Sequence, residues 1–340
     1  MPLPLVITAN AAVGKAWAPA ATVVLGGFAV ALTALFGVLD MVGVPMVPSG
    51  LSAQARFAVD AGTIVTAVAA AGFLIKPIRR DIAAFLPIDP DNPVHALALV
   101  LAVLLFGTQV TSIFFTDVLA SNNAQPPLTL ADLFLNETPF LILALAGVGI
   151  FIRRNPAGTG GRLGLVRPAW WHIVLALAAA GAFFALGQAS DVLSHTWSPD
   201  VARRVDTTTQ HLFGQLDTPA GIILLAILPG LCEEILFRGA LQPRIGVLAT
   251  ALLFTSIHTQ YGISVDTLTI FVIALGLGMI RKYTNTTASC ACHMSYNLLV
   301  GVGVAGVAVE AGILIELLLV AVTGYAIWSN RRRAAVAENS

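Results

Sequence analysis

Apolar positions run through the chain in long blocks divided by short polar breaks, a length scale that suits membrane-crossing helices rather than strands. A helix needs about 20 mostly apolar residues to span hydrocarbon. Ten runs qualify, at roughly 17–40, 57–76, 94–115, 133–152, 169–189, 218–240, 246–261, 265–281, 286–307 and 309–328. The seventh and eighth are short, so the expectation is about ten spans with a range of 8–10. The first run is too long for a signal-peptide core, no cleavage site follows it, and it reads as a retained span.

The breaks divide the chain into parts. Residues 1–190 form N-terminal transmembrane helices to which no motif assigns a role, and 191–217 is too polar to cross the bilayer. That stretch, with His195, Asp200, Arg203, Arg204 and Asp206, is expected as an external loop or an interfacial helix. Residues 218–328 form the part that carries chemistry, and 329–340 is a basic tail with Arg331, Arg332 and Arg333. The fold class is therefore all-α, a polytopic transmembrane bundle with its site inside the bundle.

Composition supports the membrane reading. Charged residues make up 11% of the 340 against ~25% in soluble domains, apolar residues 57%, and mean hydropathy is +0.86. This excludes an ordinary soluble enzyme and a disordered chain. A formal net charge of zero leaves no basic excess for nucleic acid. Three cysteines cannot make a disulfide framework. With ten spans and a cytoplasmic N-terminus, 15 of the 18 Lys and Arg fall on the cytoplasmic side, leaving Arg56, Arg203 and Arg204 outside. The positive-inside rule asks for such an asymmetry, so both termini are expected in the cytoplasm of an integral, multi-pass protein.

Ionisable groups are costly inside a membrane, and each one needs a partner or a task. They gather in the second half: Glu233, Glu234 and Arg238 end the sixth run, Phe254 and His258 end the seventh, and His293 and Asn297 lie in the ninth. Glu234 and Arg238 at i and i+4 suit a salt bridge, and a structural ion pair is the plain reading of the two. Glu233 is turned ~100° away and stays free for proton chemistry. If the sixth and seventh runs turn near Pro243–Gly246, Glu233 and His258 both lie roughly 15–20 Å from the turn at 1.5 Å per residue. A second turn near Tyr283–Asn285 brings His293 and Asn297 to roughly 13–20 Å by the same rise. A buried carboxylate beside a neutral imidazole can activate water, and a second imidazole with an amide can stabilise an oxyanion. Those are the parts of amide hydrolysis. Elsewhere, Glu316 should face the bundle interior, and Asp60 and Glu137 are expected near span ends, within reach of water.

Glu233-Glu234-x-x-x-Arg238, Phe254-x-x-x-His258 and His293-x-x-x-Asn297 resemble the three motifs of the CAAX prenyl protease and bacteriocin-processing (CPBP, ABI) family of intramembrane proteases. The likeness covers about residues 218–325. It implies a helical membrane endopeptidase of the glutamate type in which Glu233 and His258 activate water and His293 and Asn297 form the oxyanion site. Glu234, Arg238 and Phe254 support them. The implied substrate is a peptide or protein, possibly lipidated, in the bilayer, with no cofactor. Three other readings stay open. Glu233, His258 and His293 could hold zinc, with Cys232, Cys290 and Cys292 close in sequence, although His-Glu-x-x-His is missing. The same fold could act without proteolysis as a scaffold or immunity protein, docking a membrane-protein partner through the N-terminal helices. A proton-coupled transporter using Glu233 and Glu316 would need an inverted repeat, which the chain lacks.

Overall fold

In the computed structural model, residues 2–44, 46, 51–303 and 307–338 are described. Helix accounts for 83% of the chain, and the described residues hold no strand. The helices are α1 Leu3–Ala12, α2 Ala18–Met41, α3 Ala53–Ala71, α4 Lys76–Ala83, α5 Pro93–Phe115, α6 Val118–Asn123, α7 Leu130–Gly147 and α8 Pro156–Leu163. They continue as α9 Trp170–Trp197, α10 Pro199–Phe213, α11 Pro219–Glu234, α12 Gln242–Ser256, α13 Val265–Tyr283, α14 Thr286–Val302 and α15 Val307–Glu338. The protein is an all-α integral membrane bundle that crosses the bilayer several times.

Each of the ten apolar runs corresponds to helix, but they are not ten equivalent spans. Seven helical segments among the described residues are long and apolar enough to cross by themselves, and one of these, Pro219–Ser256, joins the sixth and seventh runs. A π-helical segment, Ile235–Leu241, links α11 to α12. The chain bends at Gly246, whose φ of 80° suits a residue without Cβ. α13 and α14 are not among the seven: α14 is only 17 residues long, and α13 carries Asp266, Arg281 and Lys282 near its ends.

Other expectations are narrowed or corrected. The polar stretch 191–217 takes the helical alternative rather than a loop: α9 runs on to Trp197, and α10 follows with Ala202, Val205, Thr208 and Leu212 buried along one face. Asp60 is 2% exposed and Glu137 only 8%, so neither sits at a wet span end. The reason is that α7 begins at Leu130, which carries Glu137 a further turn into the bundle. Glu316 is half-buried, with its carboxylate against Gly181 of α9. The expected boundary between the ninth and tenth runs adjoins 304–306, outside the described residues, as are 339–340 and the side chains of Arg331 and Arg333.

The main core lies where α5 and α7 meet α12 and the π segment, around Leu99, Ala144, Leu163, Phe237, Leu253 and Phe254. α11 packs along α14, α2 along α3, and α9 against α13, α14 and α15. The short α8 acts as a clip. Arg162 donates to the carbonyls of Gly239 and Ala240 at the end of the π segment, while the Leu163 carbonyl accepts from Thr286 Oγ1 at 2.6 Å. One eight-residue helix thus ties the π segment to the start of α14.

Candidate active site

α11 begins with a Thr218 cap, whose hydroxyl accepts from the Gly221 amide at 3.1 Å, and with Pro219 in its first turn. At Gly230 it passes close to α14. A Cβ there would lie 2.5 Å from Met294 Cγ and 2.9 Å from the Met294 backbone nitrogen, so only glycine permits this approach. The crossing brings the acidic end of α11 onto the polar face of α14.

Glu234 is fully buried, and both its oxygens are engaged. Oε1 is 2.9 Å from Arg238 Nη1 and 3.1 Å from His293 Nδ1, and Oε2 accepts a short hydrogen bond from the Ser289 hydroxyl. Arg238, also fully buried, donates from Nη2 to the Ala274 carbonyl at 3.2 Å and places its guanidinium 4.3 Å from the Phe254 ring centre. Such a pair in low dielectric depends on further partners, which here come from α11, α13 and α14, while Arg238 Nε is buried without one. Glu234 therefore does more than pair with Arg238: it also orients His293.

Glu233, one residue earlier, has none of this. It is 6% exposed, makes no hydrogen bond to protein among the described residues, and its Oε2 is buried without a partner there. Buried polar groups are normally satisfied, so an unpartnered carboxyl is costly and calls for a functional reason. Adjacent acids thus occupy opposite environments.

Phe254 stands between the two histidines. Its ring centre is 4.6 Å from that of His258 and 6.0 Å from that of His293, and Phe237 meets it edge-on at 5.2 Å. His258 Nδ1 lies 2.8 Å from the Phe254 carbonyl, which can only accept. Nδ1 therefore carries the proton, and Nε2 of the neutral ring keeps its lone pair. His293 Nδ1 likewise donates to Glu234, so its Nε2 becomes a donor only when the ring is an imidazolium. Asn297, one turn beyond His293, is half-buried, and its amide makes no hydrogen bond to protein. Tyr261 stacks over His258 with centres 6.5 Å apart, and the charge of Glu233 reaches it.

Two neighbours were not singled out in the sequence, and a third was misplaced there. Ser289 stands one turn before His293 on the stripe that leads to Asn297, so its helical spacing was a usable signal. Tyr261 follows the end of α12 and carried none. Glu137 is the third: it is buried on α7, which packs along α11. One turn farther along the two helices, Phe140 and Phe237 meet with ring centres 6.1 Å apart. An acid within a hydrophobic run was the signal.

The cysteines are buried and free. Glu233, His258 and His293 do not bring their ligand atoms within 4.8 Å of one another, whereas Asp191, His195 and Asp206, all exposed, do so at the α9–α10 junction.

Residues 215–299 match the family model described as type II CAAX prenyl endopeptidase Rce1-like. The match takes in about a quarter of the chain and includes all seven residues from Glu233 to Asn297 named above. The motif resemblance thus extends to a matched segment, which is similar to the CAAX protease family model. Comparison with curated proteins and with solved structures finds no match for this chain.

Proposed function

We propose that this protein is a glutamate-type intramembrane endopeptidase that hydrolyses a peptide bond close to the membrane surface with an activated water. The observation that carries the reading is the contrast between Glu233 and Glu234. One carboxyl is saturated by Arg238, His293 and Ser289, and its neighbour is buried with a free oxygen.

Two acceptors face the water: the Glu233 carboxylate and Nε2 of His258. A water that donates one hydrogen to each has its lone pair left for a carbonyl carbon. As the C–O bond forms, the proton passes to Glu233 and the carbonyl oxygen takes up negative charge. Asn297 donates to that oxygen, and so does Nε2–H of His293 when its ring is protonated, Nδ1 being held by Glu234. Glu233 then returns its proton to the departing amine nitrogen as the C–N bond breaks, leaving an acid and an amine. Phe254 keeps the imidazoles apart and dry.

Metal independence is part of the proposal, because Glu233, His258 and His293 do not bring their ligand atoms within 4.8 Å of one another. The substrate is a membrane-borne peptide or protein, and a lipidated C-terminus fits the CAAX likeness. The test is cleavage of fluorogenic membrane peptides by purified wild type and Glu233→Gln, with and without chelator. The expected loss for Glu233→Gln is roughly 10²–10⁴-fold, with chelator inert. Full activity in Glu233→Gln would remove Glu233 from the mechanism, no cleavage by the wild type would leave the same fold acting as a binding scaffold, and inhibition by chelator would favour the zinc version.

A further inference from the structure

A cavity of about 410 Å³ lies between the N-terminal helices and the π segment. That is within the ~300–1,000 Å³ usual for ligand sites. Its wall is apolar, with Leu97, Leu101, Phe140, Leu143, Leu236 and Phe237. Its charged lining is one-sided: Arg153, Arg154, Arg162 and Arg244 against a single acid, Asp89.

None of the four arginines takes part in an ion pair among the described residues. Their partners are neutral. Arg153 Nε donates to Asn10 Oδ1 at 2.8 Å, Arg154 to the Val148 carbonyl, and Arg244 Nη1 to the Pro87 carbonyl at 2.8 Å. Arg162 is taken up by the carbonyls of Gly239 and Ala240, and Arg244 Nε is buried with no partner. Asp89 is committed locally, accepting from the Asp91 amide at 2.9 Å. Burial, and then the charges of Arg244, Arg154, Arg281 and Arg153, pull the Arg162 guanidinium down to about 10. The cluster repels itself, and an anion would relieve it.

We propose that this cavity binds an anionic phospholipid, its phosphate held by Arg153, Arg154, Arg162 and Arg244 and an acyl chain lying along Leu97, Leu101, Phe140 and Leu143. Guanidinium forks match phosphate oxygens in pairs, and basic pockets between transmembrane helices take lipid headgroups. The arginines sit just beyond the end of α7, in α8 and in the first turn of α12, while the apolar wall is made by the bodies of α5 and α7. That is the layout of a headgroup above hydrocarbon. Phe237 and Phe140 close the wall on the side of Phe254, so a tail in the cavity is separated from the catalytic water. This favours a resident lipid over a substrate, whose scissile bond must reach Glu233. The occupied cavity would brace the π segment that carries Arg238.

The test uses the full chain with Glu233→Gln, so that it does not depend on peptidase activity. The protein is placed in phosphatidylcholine nanodiscs and titrated with phosphatidylglycerol, with retained lipid counted by native mass spectrometry and melting followed in parallel. Phosphatidylglycerol should be retained and should raise the melting temperature. Arg244→Gln with Arg153→Gln should weaken retention roughly tenfold or more. Ala98→Phe, which fills the cavity and leaves every charge in place, should also lose it while the far-UV spectrum is unchanged. Three results would overturn the proposal: equal retention of phosphatidylcholine, the same melting shift with inorganic phosphate alone, or displacement of the lipid by a farnesylated peptide.

Discussion

Two regions of this protein each bury a pair of acids beside an arginine, and only one of them is built as a reaction site. In the α2–α3 pair, Asp40 and Asp60 are each 2% exposed, Arg56 lies 3.5 Å from Asp40, and Asp60 Oδ1 is buried without a partner. Arg56 remains 31% exposed, so water shares in the screening. In the α11–α14 pair, Glu234 and Arg238 are wholly buried, and two imidazoles and an amide stand around them. Burying carboxyl groups is therefore not what makes a site. What matters is whether neighbours saturate one acid completely and leave the next one unpartnered beside proton acceptors.

The packing around the two regions differs in the same sense. Half of the Pro219–Ser256 segment is buried within the protein, against 22% for α2 and for Ala53–Leu74. The outer helices turn apolar surface to lipid, where nothing has to be specified beyond length and hydropathy. The inner segment must fit its neighbours on every side.

Four substitutions test this contrast. The largest effect is expected on rate: Glu233→Gln should cost roughly 10²–10⁴-fold in peptide cleavage while melting stays near wild type, because the lost carboxyl had no protein partner. Next comes Arg238→Gln, which strands Glu234 in the interior. Breaking a buried pair costs about 3–5 kcal/mol, readable as a lower midpoint in reversible detergent unfolding, with activity lost as His293 loses its anchor. Gly230→Ala should follow at about 1–3 kcal/mol, since the added methyl forces α11 off the Met294 backbone; an unaltered midpoint would show that the crossing is looser than described here. The smallest effect belongs to the comparison region. Asp60→Asn should leave the cleavage rate within twofold of wild type, by the ~0.4 kcal/mol such a ratio represents, and a large loss would mean that the N-terminal acids join the chemistry.

Much of this was readable in the chain. The helical class followed from run length and low charge, and Glu234 with Arg238 was evident from i, i+4 spacing. The histidine motifs could be located because polar groups in apolar runs stand out. Other features could not be read in this way. The merger of two runs through a π segment depends on packing against α8, which spacing does not encode. The helical 199–213 stretch was obscured because its buried face is short and its exposed face strongly charged. Glu137 was misplaced because a run boundary read from hydropathy is uncertain by a turn, and a turn decides whether a side chain meets water or the protein interior.

By itself the sequence determined that the chain must live in a membrane as helices and which few polar residues those helices must hide, because the cost of leaving backbone or charge unsatisfied in hydrocarbon is a local matter. Only the tertiary structure decided that Glu234 holds His293 while Glu233 goes without a partner, and that four arginines from three segments border one cavity. Those outcomes depend on distances between helices, which are set by close approaches such as Gly230 on Met294, and no property of a single run contains them.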